Sequence, residues 1–517
     1  MKRIFIYTVI GVGILLSISS CKKFLDVEPI DKLTGNNFYK SPEDVQASIG
    51  DLSRKLYNKI TETQFMGATG EYRSGEVLSD PLIRGNSVRT PQNIAYIDRL
   101  GKNKLIEVIN NPNNLWGDYN FGSITDWRRF YEVIQGASIL IEKLNEGIPG
   151  VTETTKAQYL GEATFIRCFC YFIMVRLYGD VPYYSDAFHI EPLPRESMVS
   201  VMDKCIADME SRKDGMVWTF SEPAFKGVRA TRTSAIALLM NMNMWNAGFD
   251  LANADKYNKA TVALGKELVD NENKHNNRLL PIEEWQTVVG GRSDESLFEL
   301  YQSVNYGVST NIYAPISQMF LHYPYKSPFY DWEKSSAYYK SSYMEKIFPQ
   351  DVSDTRKNTW LIEPYANSGL FNFAKLSGVN VNAGGVGAAN PDNSFIFFRY
   401  ADALLMYAEA LANDGNDTEA AKMLNRVRTR AHAPTFNGAG TELKDFIFLE
   451  RSRELIGEGV HYFDLIRTRR ILSQTWTSNP LTTDQFIRGG WTWPVSNNVI
   501  RNNPFITLTD YWVNGGI

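Results

Sequence analysis

Cysteine and histidine are scarce. The 517 residues include four Cys and five His. No two His stand at a ligand spacing such as H-x-x-x-H, so no zinc site is written in the chain. Cys168 and Cys170 lie two apart in an apolar stretch that reads as helix, where residues at that separation point to different faces. With Cys205 they read as buried, inert thiols, not as a bridge, metal site or redox pair. A basic excess is also missing. The formal charge is −4, and −6 once Lys2 and Arg3 are removed (52 basic against 58 acidic), which argues against a nucleic-acid partner. Catalytic signatures are missing too: there is no G-x-S-x-G elbow, no P-loop and no H-E-x-x-H. Glycoside hydrolysis needs two carboxylates flanking one bond, but a chain with 58 acids always offers pairs, so their presence decides nothing. The chain is read as non-enzymatic. No cofactor is called for, and no EF-hand spacing marks a calcium loop.

Long apolar runs are absent after the first eighteen residues. That start is itself informative. Met1-Lys2-Arg3 precedes an apolar run from Ile4 to Ile18, followed by Ser19-Ser20-Cys21. The positive start and short apolar core fit an export signal. The run falls short of the roughly 20 residues a spanning helix needs. A Cys directly after the cut, in place of an A-x-A-like ending, points to lipid attachment on Cys21. Acyl chains contribute about 0.8 kcal/mol per buried CH2, so several on one Cys would hold the protein on a membrane. The expected organisation is a signal peptide over 1–20, a lipidated tether over 21–40 and one domain over 41–517.

Hydrophobic periodicity makes that domain mostly helical. Ser41-Pro42-Glu43-Asp44 reads as a helix start: Ser41 as cap, Pro42 in the first turn, Asp44 completing a capping box. The helix should run to about Ile60. A loop-like stretch follows from Thr61 to Phe121. Helices are predicted at Ser123–Leu144, Thr155–Tyr178, Glu196–Arg212, Thr231–Gly248 and Ala254–Asp270. The second is apolar all round near its C-terminus and belongs inside a packed body. Gly179 can end it. From Asn271 to Asn393 the pattern breaks down; Ser296–Tyr301 reads as a strand and Asn380–Asn393 as a mobile surface loop. Helices resume at Phe398–Asn413, Asp417–Ala431, Leu443–Gly457 and Tyr462–Leu472, and Thr492–Ile517 is mostly irregular. The domain thus divides into an N-terminal helical part (41–270), a loop-rich insertion (271–397) and a C-terminal helical part with its tail (398–517).

A thirty-four-residue unit beginning at Ala401 places Leu404, Tyr407, Ala408, Leu411, Ala420, Leu424 and Val427 as a tetratricopeptide repeat requires, with Gly415 in the turn. Small residues at Ala408 and Ala420 let two helices approach closely. Thr231–Asp270 carries a looser version. The fold class expected is all-α, with tetratricopeptide-like helix pairs forming a superhelical scaffold and a large irregular insertion carrying the ligand site.

Longer motifs sharpen this. Leu160–Pro182 (LGEATFIRCFCYFIMVRLYGDVP), Phe398–Ala410 (FRYADALLMYAEA), Glu450–Arg467 (ERSRELIGEGVHYFDLIR) and Cys21–Pro29 (CKKFLDVEP) resemble, in the right order, the signatures of the SusD/RagB family of outer-membrane nutrient-binding lipoproteins. The chain departs from the family at His461, where Arg is commoner, and in the tail, where Asn503-Pro504-Phe505 is kept but Leu508-Thr509-Asp510-Tyr511 replaces the usual continuation. The resemblance implies four tetratricopeptide-like helix pairs and no enzyme activity. It implies a lipid-anchored protein on the outer face of the outer membrane. There it would capture oligosaccharide, or in some members peptide, for a SusC-like TonB-dependent transporter. A surface glycoside hydrolase and a pure protein–protein scaffold are the remaining rivals. The motif charges Arg399, Glu409, Arg451, Glu454 and Asp464 read as salt-bridged braces between packed helices.

Sugars present C–H faces that stack on aromatic rings, while their hydroxyls take hydrogen bonds from polar groups, so ligand residues are sought as loop aromatics beside polar side chains. Leu321–Glu345 holds eight aromatics in 25 residues, 32% against 13% for the chain, without a clean period. From it Trp332, Tyr330 and Tyr325 are nominated. The second loop, Glu71–Tyr119, contributes Tyr72, Arg73, Arg84, Asn86, Tyr96, Trp116 and Tyr119. In the resembling family, ligand contacts come from these two regions. Trp285 and Trp360 are assigned to the core.

Overall fold

The structure, a computed structural model, describes residues 38–61, 67–80, 96–110, 121–302, 319–322, 324–325, 334–377, 393–513 and 515. Cys21, the signal and all but the last residue of the 380–393 loop lie outside the described residues.

Ten of the helices among the described residues carry the body. The first, α1 (Pro42–Thr61), starts where the carboxylate of Asp44 accepts the backbone N–H groups of Lys40 and Ser41, both at 2.9 Å. The Ser41 N–H is one of the donors that a helix start would otherwise leave unpaired. Its apolar face, Val45, Ile49, Leu52 and Leu56, is buried. Helix α2 (Arg128–Glu146) begins later than the periodicity predicts, because Phe121–Thr125 forms a separate 3-10 turn. Helix α3 (Glu153–Tyr178) opens on a capping box between Thr152 and Thr155 and ends at Gly179, whose φ of +70° favours glycine. Every residue of α3 from Gln158 to Val175 is buried, as its all-round apolarity requires.

The others are α4 (Met198–Lys213), α5 (Arg232–Phe249), α6 (Ala254–Asp270), α7 (Tyr400–Asn413), α8 (Asp417–Arg430), α9 (Gly440–Glu454) and α10 (His461–Arg467). From α1 to α8 each packs on the next, and α7 also packs on α9. The α6–α7 contact spans the whole insertion. Gly265 makes it close: a Cβ there would sit 2.4 Å from the ring of Tyr407. Ala408 and Ala420 are fully buried between α7 and α8, and Gly415 turns the chain between them at φ +81°.

Four short strands tie the insertion down: β1 (Val77–Ser79), β2 (Ser296–Leu300), β3 (Ala337–Tyr339) and β4 (Phe395–Arg399). β2 pairs antiparallel with β4, and β1 with β3. The pairing of β4 corrects the expected helix start at Phe398. Phe395–Arg399 is extended, and the helix begins at Tyr400. A run of aromatic and β-branched residues suits a pleated ribbon, and its rings close on α3: Phe397 lies 4.9 Å from Phe169, and Phe298 of β2 lies 4.7 Å from Phe165. One hydrophobic cluster runs from Val45 to Trp512 through all ten helices. Cys168, Cys170 and Cys205 are free thiols inside it. The Thr492–Ile517 tail is less irregular than expected, with short helical turns at Asn497–Asn502 and Asp510–Val513. Among the described residues no helix is long and apolar enough to cross a membrane.

Candidate functional site

The β1–β3 ribbon places the two nominated loops side by side. Its register aligns Val77 with Tyr339 and Ser79 with Ala337. Beyond its end the Asp80 N–H donates to the Ser336 carbonyl at 2.9 Å, and the Asp80 carboxylate accepts the Gly369 N–H at 2.6 Å. Ser79 is fixed from the other side by Asp98, through its N–H at 3.1 Å and its hydroxyl at 2.7 Å. Asp80, the last described residue of its segment, therefore lies beside Ser336 at the end of the ribbon. Trp332, Tyr330, Arg84, Asn86, Trp116 and Tyr119 belong to segments outside the described residues, and only their attachment points are defined.

Three nominated residues are corrected. Tyr72, Arg73 and Tyr96 were expected to face ligand, and all are buried, at 0, 4 and 3% exposure. They build the wall beneath the loops. Tyr96 packs on Tyr72 at 6.1 Å and on Phe121 at 5.1 Å, while Tyr72 meets Phe320 and Phe320 stacks on Tyr339 at 5.0 Å. The Arg73 guanidinium donates to the Trp491 carbonyl at 2.8 Å and to Asn103 Oδ1 at 2.7 Å, and lies over the Tyr462 ring at 4.5 Å. The reason is general: a loop this rich in rings must bury some of them to hold its own base. Tyr338, Tyr339 and Tyr343 of the second loop are buried likewise. Tyr325 is half-buried, its N–H donating to the His322 carbonyl at 2.9 Å.

The sequence reading missed Glu71. This carboxyl is buried at the root of the first loop, hydrogen-bonded by the Tyr339 hydroxyl of β3 and approached at 3.4 Å by the Gly459 N–H. Burial pushes it up to about 7, against the pull of those donors. One titratable group thus ties both loops to the turn before α10. Its tyrosine partner lies 268 positions away, so no local pattern announces it.

The motif charges form a buried ionic lattice. Arg399 pairs with Glu295 and Glu454 at 2.7 Å and with Glu458 at 2.8 Å. Arg356 holds Asp354, Glu450 and Glu454 at 2.7 to 2.8 Å. Arg451 pairs with Asp402 and Asp464, both at 2.8 Å, and Arg467 joins Glu409 to Asp464. Burial would raise Glu450, but Arg356, Arg453 and Arg428 bring it to about 2; Arg451 and Arg467 do the same to Asp464. These residues brace α7, α9 and α10, as their positions in the motifs suggested. His461, in contrast, is pushed down to about 4 by burial.

Trp360 is buried and Trp285 is half-buried against the core. Between them and the lattice lies a cavity of about 40 Å³, room for a water or two but not for a sugar ring. Larger hollows of about 300 and 480 Å³ open elsewhere on the helical body. Among the described residues no cluster of His, Cys, Asp and Glu is placed to hold a metal ion.

Residues 300–512 match the family model described as the SusD family, and residues 23–242 match one described as starch-binding, associating with outer membrane. SusD-like protein P38 of Formosa agariphila is 26% identical, the alignment covering 96% of each chain. The crystal structure of a SusD homolog from Bacteroides thetaiotaomicron superposes with a TM-score of 0.81 at 34% identity, covering 91% of this chain and 98% of that one. Surface glycan-binding protein A from Bacteroides uniformis has a similar fold, with a TM-score of 0.66 at 20% identity over 90% of this chain and all of that one. Taken with the helical array, its ribbon-tied insertion and the buried motif lattice, these likenesses show that the chain belongs to the SusD/RagB family.

Proposed function

We propose that this protein is a lipid-anchored, outward-facing surface protein that binds oligosaccharide without cleaving it and delivers it to a SusC-like TonB-dependent transporter in the outer membrane. The observation that carries the reading is the β1–β3 ribbon. It joins two aromatic-rich loops, far apart in sequence, at their bases, with Asp80 beside Ser336. Trp332 and Tyr330 belong to one of these loops by sequence, and Arg84, Asn86, Trp116 and Tyr119 to the other. Rings that stack on sugar faces and polar groups that meet hydroxyls are what such a ligand needs. Family membership supports the same reading, as does the likeness of fold to a surface glycan-binding protein. The Cys21 lipobox supports the anchor, and the helical array offers the transporter a large, stiff surface. A panel of hexasaccharides presented to the mature protein tests the reading. Binding of at least one of them, with no new reducing ends released from its parent polysaccharide, is expected. Release of reducing ends would make the protein an enzyme, and affinity for peptides alone would make it a peptide-capture protein.

A further inference from the structure

The hollow of about 300 Å³ contains no residue of either nominated loop. It lies between the first turns of α2, the chain from Pro182 to His189 and the tail near Asn502. Its aromatic side is a ladder: Trp127 meets Tyr131 edge-on at 5.9 Å, Tyr131 meets Tyr184 at 5.4 Å, and Tyr184 meets the His189 ring at 5.2 Å. Tyr131 and Tyr184 are half-buried, which leaves part of each ring open.

This side is held rigidly. The Tyr131 hydroxyl donates to the Pro182 carbonyl at 2.8 Å, and the Tyr184 hydroxyl accepts the Leu193 N–H at 3.0 Å. The Tyr184 backbone is clamped by the Tyr171 hydroxyl in both directions, and Arg167 donates to the Ser185 carbonyl at 3.1 Å. The rim is the reverse. The side chains of Gln135 and Asn502 make no hydrogen bond with any described residue, and His189 Nε2 is shielded from water with no partner among them. Polar atoms so shielded are normally paired. A fixed floor of rings under a rim of unspent donors and acceptors is a pre-organised site. Its volume is at the lower bound for small-ligand pockets.

The charges on the rim narrow the ligand. Glu132 and Asp186 both line the hollow, while Arg128 is spent on Asp126, at 2.9 to 3.0 Å through Nε. An acidic sugar would meet like charge. We infer that this hollow is a second saccharide site, taking one or two neutral sugar units stacked on Tyr131 and Tyr184 and hydrogen-bonded by Gln135 and Asn502. The inference rests on the glycan-binding reading. It adds a foothold on the helical body, through which one polysaccharide could be held at two places.

The test uses mature protein labelled with 5-fluorotryptophan, titrated with maltose, laminaribiose, cellobiose, xylobiose and mannobiose. The resonance of Trp127, assigned through Trp127→Phe, reports the hollow, and that of Trp332 reports the loops. At least one neutral disaccharide should move Trp127 with millimolar affinity. Gln135→Ala with Asn502→Ala, both exposed, should weaken that response at least tenfold without altering the Trp332 response. Digalacturonate should bind the hollow at least tenfold more weakly than the best neutral sugar. A Trp332 response with Trp127 silent, or a Trp127 response indifferent to the double variant, overturns the second site and leaves the proposed function standing. Equal response to digalacturonate overturns the assignment to neutral sugars. Silence at both tryptophans overturns the second site and leaves the proposed function to the hexasaccharide panel.

Discussion

Glu71→Gln should stabilise the protein in mild base and do little in acid. The buried carboxyl sits at about 7 in the folded chain against an ordinary value of 4.5. The sign follows from proton binding. Below 4.5 both folded and unfolded chains hold the proton, and Glu71 contributes its full stability. Between 4.5 and 7 only the folded chain holds it, so stability falls as pH rises. Above 7 the folded chain carries a buried charge and pays a constant penalty. At 1.36 kcal/mol per unit the whole loss is about 3 kcal/mol. Glutamine keeps an acceptor for the Tyr339 hydroxyl and has no charge to bury. Urea unfolding of parent and variant, from pH 4 to 9, should therefore give a difference near zero at pH 4 that grows to as much as about 3 kcal/mol in the variant's favour by pH 8. Taking the difference cancels every other titrating group that does not touch Glu71. A difference independent of pH, or a variant equally destabilised at pH 5 and pH 8, would show that Glu71 does not carry this titration.

Three further outcomes are expected. Arg399→Met removes the one cation that joins all three of Glu295, Glu454 and Glu458, leaving Glu295 only Arg430 at 3.5 Å, and denaturant unfolding should show a loss of about 3–5 kcal/mol; a loss under 1 kcal/mol would mean the lattice does not brace α7 against α9. Glu450 and Asp464, both lowered to about 2, contribute stability that is present above about pH 4.5 and lost as pH falls through 2, so thermal melting should drop steeply below pH 4, and a flat profile to pH 2 would contradict the pairing. Gly265→Ala puts a Cβ 2.4 Å from the Tyr407 ring, and calorimetry should register about 1–3 kcal/mol of destabilisation from overpacking, whereas a neutral result would mean α6 and α7 are not in contact.

Much of the fold was legible because its helices are long and strongly periodic. The positions of α1, α3, α5, α6, α7 and α8 follow from apolar spacing and caps such as Thr152 and Gly179. Phe398 was misassigned because a run of rings beside a helical motif satisfies both periods, and only pairing with β2, about a hundred positions earlier, decides between them. For the site, composition located the two loops but could not sort their rings. Tyr72 and Tyr96 are as aromatic as Trp332, and their burial depends on Phe121 and Phe320, which no local window contains. Arg399, Arg451 and Asp464 were assigned correctly as braces because charges on apolar helix faces have few other uses. The hollow beside Tyr184 was invisible for the opposite reason: its rings belong to two segments, each unremarkable alone.

The most direct test of the central claim is calorimetric titration of a hexasaccharide that binds the parent protein into Trp332→Ala. The account predicts at least a tenfold loss of affinity, about 1.4 kcal/mol, with the thermal melting of the variant unchanged. Parent-like affinity in a folded Trp332→Ala protein would contradict it.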